Sequence, residues 1–312
     1  MRALLIPAAG EPARTGHLAK PHVAPDSVLV RVRAASLNGI DNGTVTGTLA
    51  RFVPHEYPVV IGRDGAGVVE AVGGGVEHVH PGDEVFGHIQ VVPPIHHGTL
   101  ADHALFPAAG IARKPAALSF AEAAALPLAG TAALAAVEHI AAEPGQAVLV
   151  NGASGGVGSF VLQLLAARGV TVIASGAPDD TGRLKGLGAT EVVDRANVAE
   201  AVRATHPYGV DALINLSGHT LADTPLAVVR RGGVVSTTTG APDRDAASEA
   251  GVKHHVVVAE PLRDVLARLA ELVVTGALKI DIGALLPLER ASEGLEVLAS
   301  GRSRGKVVIT FD

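Results

Sequence analysis

A group of closely spaced glycines is the part of this sequence best suited to bind an anion. Glycine lets the backbone turn tightly and approach a ligand closely because it has no Cβ atom. The unpaired N–H groups of a helix that begins directly after such a turn point at the anion. The spacing therefore predicts a loop that holds a pyrophosphate. The residues of this predicted loop are Gly152, Ser154, Gly155, Gly156, Val157 and Gly158.

The elements on either side of the loop agree with that chemistry. The apolar run 148–150 predicts a strand, and Gly169 ends a helical pattern that begins in the loop. A second apolar run, 170–174, predicts another strand, so the loop lies in a β-α-β unit. The alternative, a glycine-rich turn that binds no ligand, remains open. The helix is expected to bury one apolar stripe, Val157, Val161, Leu164 and Leu165.

Composition excludes several classes of protein. The chain has 312 residues, enough for two domains, and its 48% hydrophobic and 18% charged residues are typical of globular proteins. A net charge of −6 without a cluster of Lys or Arg argues against a nucleic-acid partner. Because there is no cysteine, disulfides, thiol nucleophiles and Cys-based zinc sites are excluded. With no signal peptide or membrane-length apolar run, we expect a cytoplasmic protein without a membrane partner.

Two regions of different pattern predict two domains. Residues 1–118 consist of short β-rich runs separated by Pro and Gly, which predicts a mainly β domain. At Ser119 the pattern changes, because Ser119 and Glu122 form a capping-box pair ahead of an Ala-rich helical stretch. From there strand and helix patterns alternate, which predicts a parallel sheet with helices on both faces. The strands predicted after the loop are 171–174, 191–194, 210–215, 234–237 and 256–259, and a last strand is predicted at 307–311.

Several sequence blocks occur in one order along nearly the whole chain. They are SLNGID at 36–41, GRDGAG at 62–67, GASGGVG at 152–158, LGATEVVD at 187–194 and GRSRGKVVI at 301–309. In type and order these blocks resemble the medium-chain dehydrogenase/reductase superfamily, specifically its zinc-free quinone oxidoreductase branch, the zeta-crystallin-like proteins. The resemblance implies an α/β protein whose Rossmann domain, residues 119–260, has a doubly wound parallel sheet and binds NADPH. It also implies a GroES-like, mainly β catalytic domain, formed by residues 1–118 and completed by 261–312.

The metal content follows from one position in the first domain. Zinc alcohol dehydrogenases share this architecture and place a histidine ligand where this chain has Arg63, which is followed here by Asp64 rather than glutamate. No cysteine is available to complete a catalytic or a structural zinc site. Adjacent histidines in a Pro-rich loop, such as His96 and His97, more often face solvent than a metal. We therefore expect no metal.

The end of the second Rossmann strand is expected to select the cofactor. NAD-selective sites carry a carboxylate there, about 20 positions after the glycine loop, which binds the ribose hydroxyls and repels a 2′-phosphate. Counting from the loop gives Ser175, and the missing carboxylate favours NADPH. Arg183 and Lys185 could pair with the phosphate, although a solvated helix face explains them equally well. Asp179 and Asp180 lie in the same loop and oppose an anion.

The resemblance also implies further site residues. Asn38 and Asp41 would lie at the active-site cleft, with the capping of a turn as the alternative role of Asp41. Thr131 would lie by the nicotinamide carboxamide, unless its hydroxyl only satisfies a helix backbone group. The other residues assigned to the cofactor follow the later Rossmann strands or lie in the closing block. They are Ser217, Gly218, Thr238, Gly240 and Lys306.

These features together predict an NADPH-dependent, zinc-independent reductase that transfers a hydride to a quinone or to the activated C=C bond of an enone. Many relatives carry a tyrosine a few residues after Asn38, and this chain has none there. Tyr57 could approach the cleft from another side, although a packing role explains it equally well. Without a side-chain acid, water must protonate the product, which suits a quinone because its reduced form is a stabilised oxyanion. The alternatives are an enoyl reductase acting on a polyketide-type intermediate and a non-enzymatic NADPH-binding protein. The apolar run 256–258 is expected to form a sheet edge, which favours a homodimer.

Overall fold

The structure, a computed structural model, describes residues 1–218, 224–238 and 244–311. The chain divides into two compact units. The first unit consists of Met1–Thr131 together with Glu260–Asp312, and the second consists of Ala132–Ala259. The first unit therefore takes up both ends of the chain.

Strands provide the framework of both units. In chain order they are β1 (Arg2–Ile6), β2 (Arg14–His17), β3 (Ser27–Leu37), β4 (Val59–Val60), β5 (Asp64–Val72), β6 (Glu84–His88), β7 (His103–Pro107), β8 (Ile111–Arg113), β9 (Ala147–Asn151), β10 (Thr171–Gly176), β11 (Glu191–Asp194), β12 (Val210–Asn215), β13 (Val229–Thr237), β14 (Lys253–Val256), β15 (Ile282–Pro287) and β16 (Lys306–Thr310). The helices are α1 (Gly39–Val45), α2 (Phe120–Ala125), α3 (Pro127–Ile140), α4 (Gly156–Ala166), α5 (Thr181–Gly186), α6 (Val198–Thr205), α7 (Arg244–Ala250), α8 (Arg263–Val274) and α9 (Ala291–Ala299). No helix within the described ranges is long and apolar enough to cross a membrane.

The long strand β3 organises the first unit. It pairs antiparallel with β5, β7 and β16, and most of its side chains are buried. Among the described residues the sheet has the order β15-β16-β3-β5-β6-β8, and a smaller sheet has the order β2-β1-β4. The core between them is filled by Val, Leu and Ile together with Phe106 and Phe311. The C-terminal strand β16 is thereby placed beside the strand that leads into the block at 36–41.

The second unit is one parallel sheet. Its strands follow the order β11-β10-β9-β12-β13-β14 in the described part of the chain. Written by position within the unit this is 3-2-1-4-5-6, the order of dinucleotide-binding sheets, in which ligands bind where the strand order reverses. The predicted fold class, a Rossmann sheet together with a mainly β unit, is therefore confirmed.

The capping box predicted at Ser119 is present. The Glu122 N–H donates to Ser119 Oγ at 3.2 Å, and the Ser119 N–H donates to Glu122 Oε2 at 2.8 Å. The helix that follows, α2, packs on β3 and β5 and so belongs to the first unit. The change of pattern at Ser119 thus precedes the division between the units.

Two local predictions are wrong. The last strand of the parallel sheet is Lys253–Val256 rather than 256–259, because the polar residues Lys253, His254 and His255 pair with β13 and the apolar run begins where pairing ends. In α4, Val157 and Leu164 are only partly buried. The helix buries a wider face than one stripe, since its buried residues are Gly158, Ser159, Phe160, Val161, Leu162 and Leu165.

The edge strand β14 generates a prediction about assembly. It ends the parallel sheet, and Val256 and Val258 beside it are 42% and 60% exposed. An unpaired edge with exposed apolar side chains favours pairing with a second copy. We expect a homodimer by light scattering coupled to size exclusion, and Val258→Lys should halve the measured mass.

Val274→Lys is the matched control for this test, because Val274 is a 52% exposed valine on α8 of the other unit. It should leave the dimer intact. A monomeric mass for the unmodified chain would refute the homodimer.

Candidate functional site

The glycine loop connects β9 to α4. Gly152 has a φ of +83°, a left-handed conformation that other residues rarely adopt. A Cβ at Gly158 would lie 2.4 Å from the carbonyl oxygen of Ala153, so only glycine lets the helix pack this close to the loop. A Cβ at Gly155 would meet no atom nearer than 3.7 Å and would occupy the open space above the loop. No side chain caps the N-terminus of α4, so its first N–H groups are available to an anion.

A chain of buried hydrogen bonds supports this loop from below. Ser175 Oγ accepts from the Gly152 N–H at 3.0 Å and donates to Asn151 Oδ1 at 2.9 Å. Asn151 Nδ2 donates to Asn215 Oδ1 at 2.8 Å, and Asn215 Nδ2 donates to Thr224 Oγ1 at 2.9 Å. Ser175 is 3% exposed. It therefore holds the loop. Sequence reasoning missed Asn151 and Asn215, whose only signal is that Asn151 directly follows the predicted strand 148–150 and Asn215 ends the predicted strand 210–215.

The position that faces the loop from the second strand is Gly176. β10 continues one residue beyond Ser175, and a Cβ built on Gly176 would lie 3.4 Å from Ser154 Oγ. It would also lie 2.4 Å from Leu184 Cδ1, the flexible end of a side chain. Neither Ser175 nor Gly176 supplies a carboxylate, so the end of β10 carries no acid that would repel a 2′-phosphate.

Arg183 lies beside the loop in a fork with Asp180. Its Nε donates to Asp180 Oδ1 and its Nη2 to Asp180 Oδ2, both at 2.8 Å, and Nη2 also donates to the carbonyl of Ser154 at 3.0 Å. Ser154 Oγ donates to Asp180 Oδ2 at 2.7 Å. The carboxylate of Asp180 is 1% exposed and is neutralised by Arg183. From the sequence, the carboxylate of Asp180 is expected to repel a phosphate, but in the structure it positions both Arg183 and Ser154. Lys185 is exposed.

The residues predicted after the later strands lie at the same end of the sheet. β12 and β13 end in register at Asn215 and Thr237, and the Thr238 N–H donates to the Asn215 carbonyl at 3.2 Å. Ser217 follows β12 closely enough that a Cβ on Gly152 would lie 3.2 Å from its Cβ. The structure thus brings Ser217, and Gly218 after it, to the glycine loop. Gly240 lies outside the described residues.

A second polar group lies inside the first unit, around a buried ion pair. Lys306 Nζ donates to the Leu37 carbonyl at 3.0 Å, to Asn38 Oδ1 at 2.6 Å and to Asp64 Oδ2 at 3.3 Å. Lys306 and Asp64 are 3% and 0% exposed. Burial lowers the pKa of Lys306, and the charge of Asp64 partly opposes that fall. The ammonium group of Lys306 is therefore engaged in hydrogen bonds within the protein, one of which fixes the side chain of Asn38.

Asp64 accepts further hydrogen bonds that complete this group. Ser36 Oγ and Asn38 Nδ2 each donate to Asp64 Oδ2 at 2.8 Å, and the Leu128 N–H donates to Oδ1 at 2.8 Å. Both ends of the Asn38 amide are thus fixed, one by Lys306 and one by Asp64. From the sequence, Asp64 is only a departure from the zinc pattern, and its role in orienting Asn38 was missed.

Asp41 is the N-terminal cap partner of α1. Its Oδ2 accepts from the Asn38 N–H at 2.8 Å and its Oδ1 from the Gly62 N–H at 3.1 Å, so the capping alternative is observed. The carboxyl is 0% exposed. Burial raises the pKa of Asp41 to about 6, and the charge of Arg63 and the N–H of Asn38 oppose the rise only in part.

Thr131 lies on α3 and is 5% exposed. Its Oγ1 is buried and has no hydrogen-bond partner among the described residues. The alternative role, in which this hydroxyl satisfies a helix carbonyl, is therefore not observed. A buried hydroxyl without a partner is suited to receive a ligand group.

The donor set of the chain does not fit zinc. Where a histidine ligand would be needed, Arg63 stands instead, 2% exposed, with Nη1 donating to the His97 carbonyl at 3.0 Å. A guanidinium is a cation and cannot ligate a metal. Within the described residues no group of three or more His, Asp or Glu side chains could hold a metal ion.

Comparisons with known proteins agree with this geometry. The family model for the alcohol dehydrogenase GroES-like domain matches residues 24–116, and the model for zinc-binding dehydrogenases matches 187–309. The 2-methylene-furan-3-one reductase of Solanum lycopersicum is 33% identical over 94% of this chain and 74% of that protein. The solved quinone oxidoreductase of Coxiella burnetii has a TM-score of 0.89 at 28% identity, covering 100% of this chain and 99% of that one. A mycobacterial protein complexed with NADPH has a TM-score of 0.87 at 26% identity, covering 100% of both chains.

The raised pKa of Asp41 generates a prediction about stability. The folded-state value of about 6 lies above the ordinary 3.8, so the folded chain binds this proton more tightly than the unfolded chain does. The cost of the buried charge is absent near pH 3 and almost complete near pH 7, where it amounts to about 3 kcal/mol. Asp41→Asn has no such titration. Urea unfolding should therefore show the wild type losing about 3 kcal/mol relative to this variant between those two pH values.

Asp264→Asn is the control, because Asp264 is 98% exposed. Its stability difference from the wild type should not change with pH. A pH-independent difference for Asp41→Asn as well would contradict the buried titration.

Proposed function

We propose a reaction for this chain, which belongs to the medium-chain dehydrogenase/reductase superfamily of oxidoreductases and is quinone oxidoreductase-like. It transfers a hydride from NADPH to a quinone or to the activated C=C bond of an enone, without a metal. The observation that carries the proposal is the uncapped N-terminus of α4 behind the glycine loop, at the reversal point of the parallel sheet. The named activities of the tomato reductase and of the Coxiella burnetii quinone oxidoreductase support the reaction class.

Residues of this chain fit NADPH in distinct ways. The N–H groups of Gly156, Val157 and Gly158 would bind the pyrophosphate, because no side chain caps them. Arg183 would meet the 2′-phosphate at the edge of the loop, with its orientation fixed by Asp180. Further proposed contacts are Ser217, Gly218 and Thr238 to the nicotinamide ribose and the buried hydroxyl of Thr131 to the carboxamide.

The bound nicotinamide supplies the hydride, so the protein needs to orient the substrate and exclude water. Asn38 is proposed as the polar group at the reacting centre, and Lys306 and Asp64 act as positioning residues that fix its amide. Asp41 holds the turn that carries Asn38. No tyrosine follows Asn38 to act as an acid. A solvent proton therefore completes the reaction, which favours products that are stable as oxyanions.

A steady-state screen of NADPH oxidation tests this proposal. Benzoquinone, naphthoquinone, phenanthrenequinone and simple enones should be reduced, and dialysis against a strong chelator should leave the rates unchanged. Gly158→Val should abolish NADPH binding, because its Cβ would collide with the Ala153 carbonyl at 2.4 Å. Gly186→Ala, at an exposed position with no atom within 4 Å of the new Cβ, is the control and should bind NADPH normally.

Two outcomes of the screen would overturn parts of the proposal. Tight NADPH binding without oxidation across the whole panel would favour the non-enzymatic alternative. Stoichiometric zinc in elemental analysis of the active protein would contradict the metal-free reaction.

The choice of NADPH is tested at Gly176. Gly176→Asp places a carboxylate on the Cβ that faces Ser154, where it would repel a 2′-phosphate and accept ribose hydroxyls. The ratio of kcat/KM for NADPH to that for NADH should fall at least about tenfold, equivalent to roughly 1.4 kcal/mol. Ser175→Asp is a poorer test because it would break the bonds of Ser175 to Gly152 and Asn151.

Gly176→Asn is the matched control for size without charge. Both side chains must displace the end of Leu184 by the same amount. An equal ratio in the Asp and Asn variants would show that charge at this position does not select the cofactor.

A further inference from the structure

Arg63 is a buried cation whose hydrogen bonds are incomplete. It is 2% exposed, and Nη1 donates to the His97 carbonyl. Nε and Nη2 are buried and have no partner among the described residues. A guanidinium stays charged in proteins and carries five N–H donors. Burial of a guanidinium with most of these donors unpaired costs free energy, and a ligand that accepts their hydrogen bonds would recover it.

The neighbouring acids do not fill this role. Asp41 attracts Arg63 electrostatically, but its two oxygens accept from the backbone N–H groups of Asn38 and Gly62. Asp64, the next residue along the chain, is occupied by Lys306, Ser36 and Asn38. The unused donors of Arg63 therefore remain after the protein acids near it are accounted for.

The two unpaired nitrogens form one recognition element. In a guanidinium the Nε–H bond and one Nη2–H bond point to the same side of the plane, nearly parallel. This fork matches the two oxygens of a carboxylate, which it binds through two charge-assisted hydrogen bonds. A single carbonyl oxygen would use the fork less completely.

Arg63 also lines a pocket of about 650 Å³ in the first unit. The rest of the wall is mainly apolar and includes Ile89, Val92, Pro93 and Leu262, and its one acid, Glu260, is exposed to solvent. Partial burial and the neighbouring His96 lower the pKa of His97, so this wall residue is uncharged at neutral pH. The pocket thus combines one buried cation, an apolar wall and one solvated carboxylate, Glu260, and its volume is that of a small-molecule site.

We propose that this pocket binds an amphiphilic organic acid, with its apolar chain along the wall and its carboxylate on the Nε–Nη2 fork of Arg63. The substrate part of this proposal rests on the proposed function. If the bound acid is the substrate, the enzyme reduces enones that carry a carboxylate in preference to neutral enones. The histidine position of the zinc relatives is then used for anion recognition.

Binding without turnover is the first test. Sodium octanoate and its neutral counterpart octanamide are titrated into the full chain by isothermal calorimetry, in the absence of NADPH. Octanoate should bind the wild type at least about tenfold more tightly than octanamide does. Arg63→Met should remove that preference, and Arg63→Lys, which keeps the charge but loses the fork, should restore only part of it.

Arg14→Met is the matched control, because Arg14 is an exposed arginine on β2 and its loss changes net charge equally. It should leave octanoate binding unchanged. Equal affinity of the wild type for octanoate and octanamide would overturn the proposal, and so would undiminished octanoate binding in a folded Arg63→Met variant. The wild-type comparison alone decides the question if that variant does not fold.

Turnover separates this proposal from the proposed function. A neutral enone and the same enone with a terminal carboxylate are compared as substrates with NADPH, and the acid should have the higher kcat/KM in the wild type but not in Arg63→Met. Reduction of both enones at equal rates by both proteins would refute the assignment of the acid as the substrate and leave the proposed function standing. Octanoate binding that depends on Arg63, without reduction of any enone or quinone, would refute the proposed function and leave the pocket assignment standing.

Discussion

The first unit depends on one buried ion pair that joins the two separate stretches of chain from which the unit is built. Lys306 lies 242 positions from Asp64, and their side chains meet at 3.3 Å in a fully buried setting. Removing two charges from water costs several kcal/mol for each ion, which the attraction offsets only when further hydrogen bonds complete both groups. Here Asp64 has three additional donors and Lys306 has two additional acceptors. The C-terminal strand is therefore part of the site, since without Lys306 the amide of Asn38 would lose the partner of its oxygen.

In the second unit, hydrogen bonds between uncharged side chains hold the glycine loop in place. The glycine loop must keep its N–H groups free for an anion, so its shape has to be held from elsewhere. Ser175, Asn151 and Asn215 do this by a relay of hydrogen bonds across three neighbouring strands, β10, β9 and β12. Each residue lies at or near the end of its strand, where parallel strands bring their carboxyl ends together. Rigid support below the loop leaves its upper side open to the ligand.

The change from a metal ligand to Arg63 affects the chemistry of the first unit as a whole. A zinc ion polarises a substrate oxygen and needs histidine, cysteine or carboxylate ligands in a tetrahedral arrangement. This chain has no cysteine and has a guanidinium at the ligand position, so its polar groups act by hydrogen bonding and fixed charge. Asp41 and Asp64 meanwhile serve the protein itself, one as a helix cap and one as the partner of Lys306. The proposed reaction would then depend on orientation and on substrates whose products need no strong acid.

The sequence by itself determined the features that arise from local pattern. The glycine spacing at 152–158, the capping box at Ser119 and the alternation of strands and helices are short-range signals, and the structure has them where they were expected. Tertiary structure decided whatever depends on contacts between distant residues. It decided that Lys306 meets Asn38, that Ser175 supports the loop through Gly152, and that Gly176 lies beside Ser154. It also decided that polar Lys253 to His255 form the edge strand. Sequence pattern shows which residues are apolar or flexible, but the partner of a buried polar group is set by the register and packing of strands far apart in the chain.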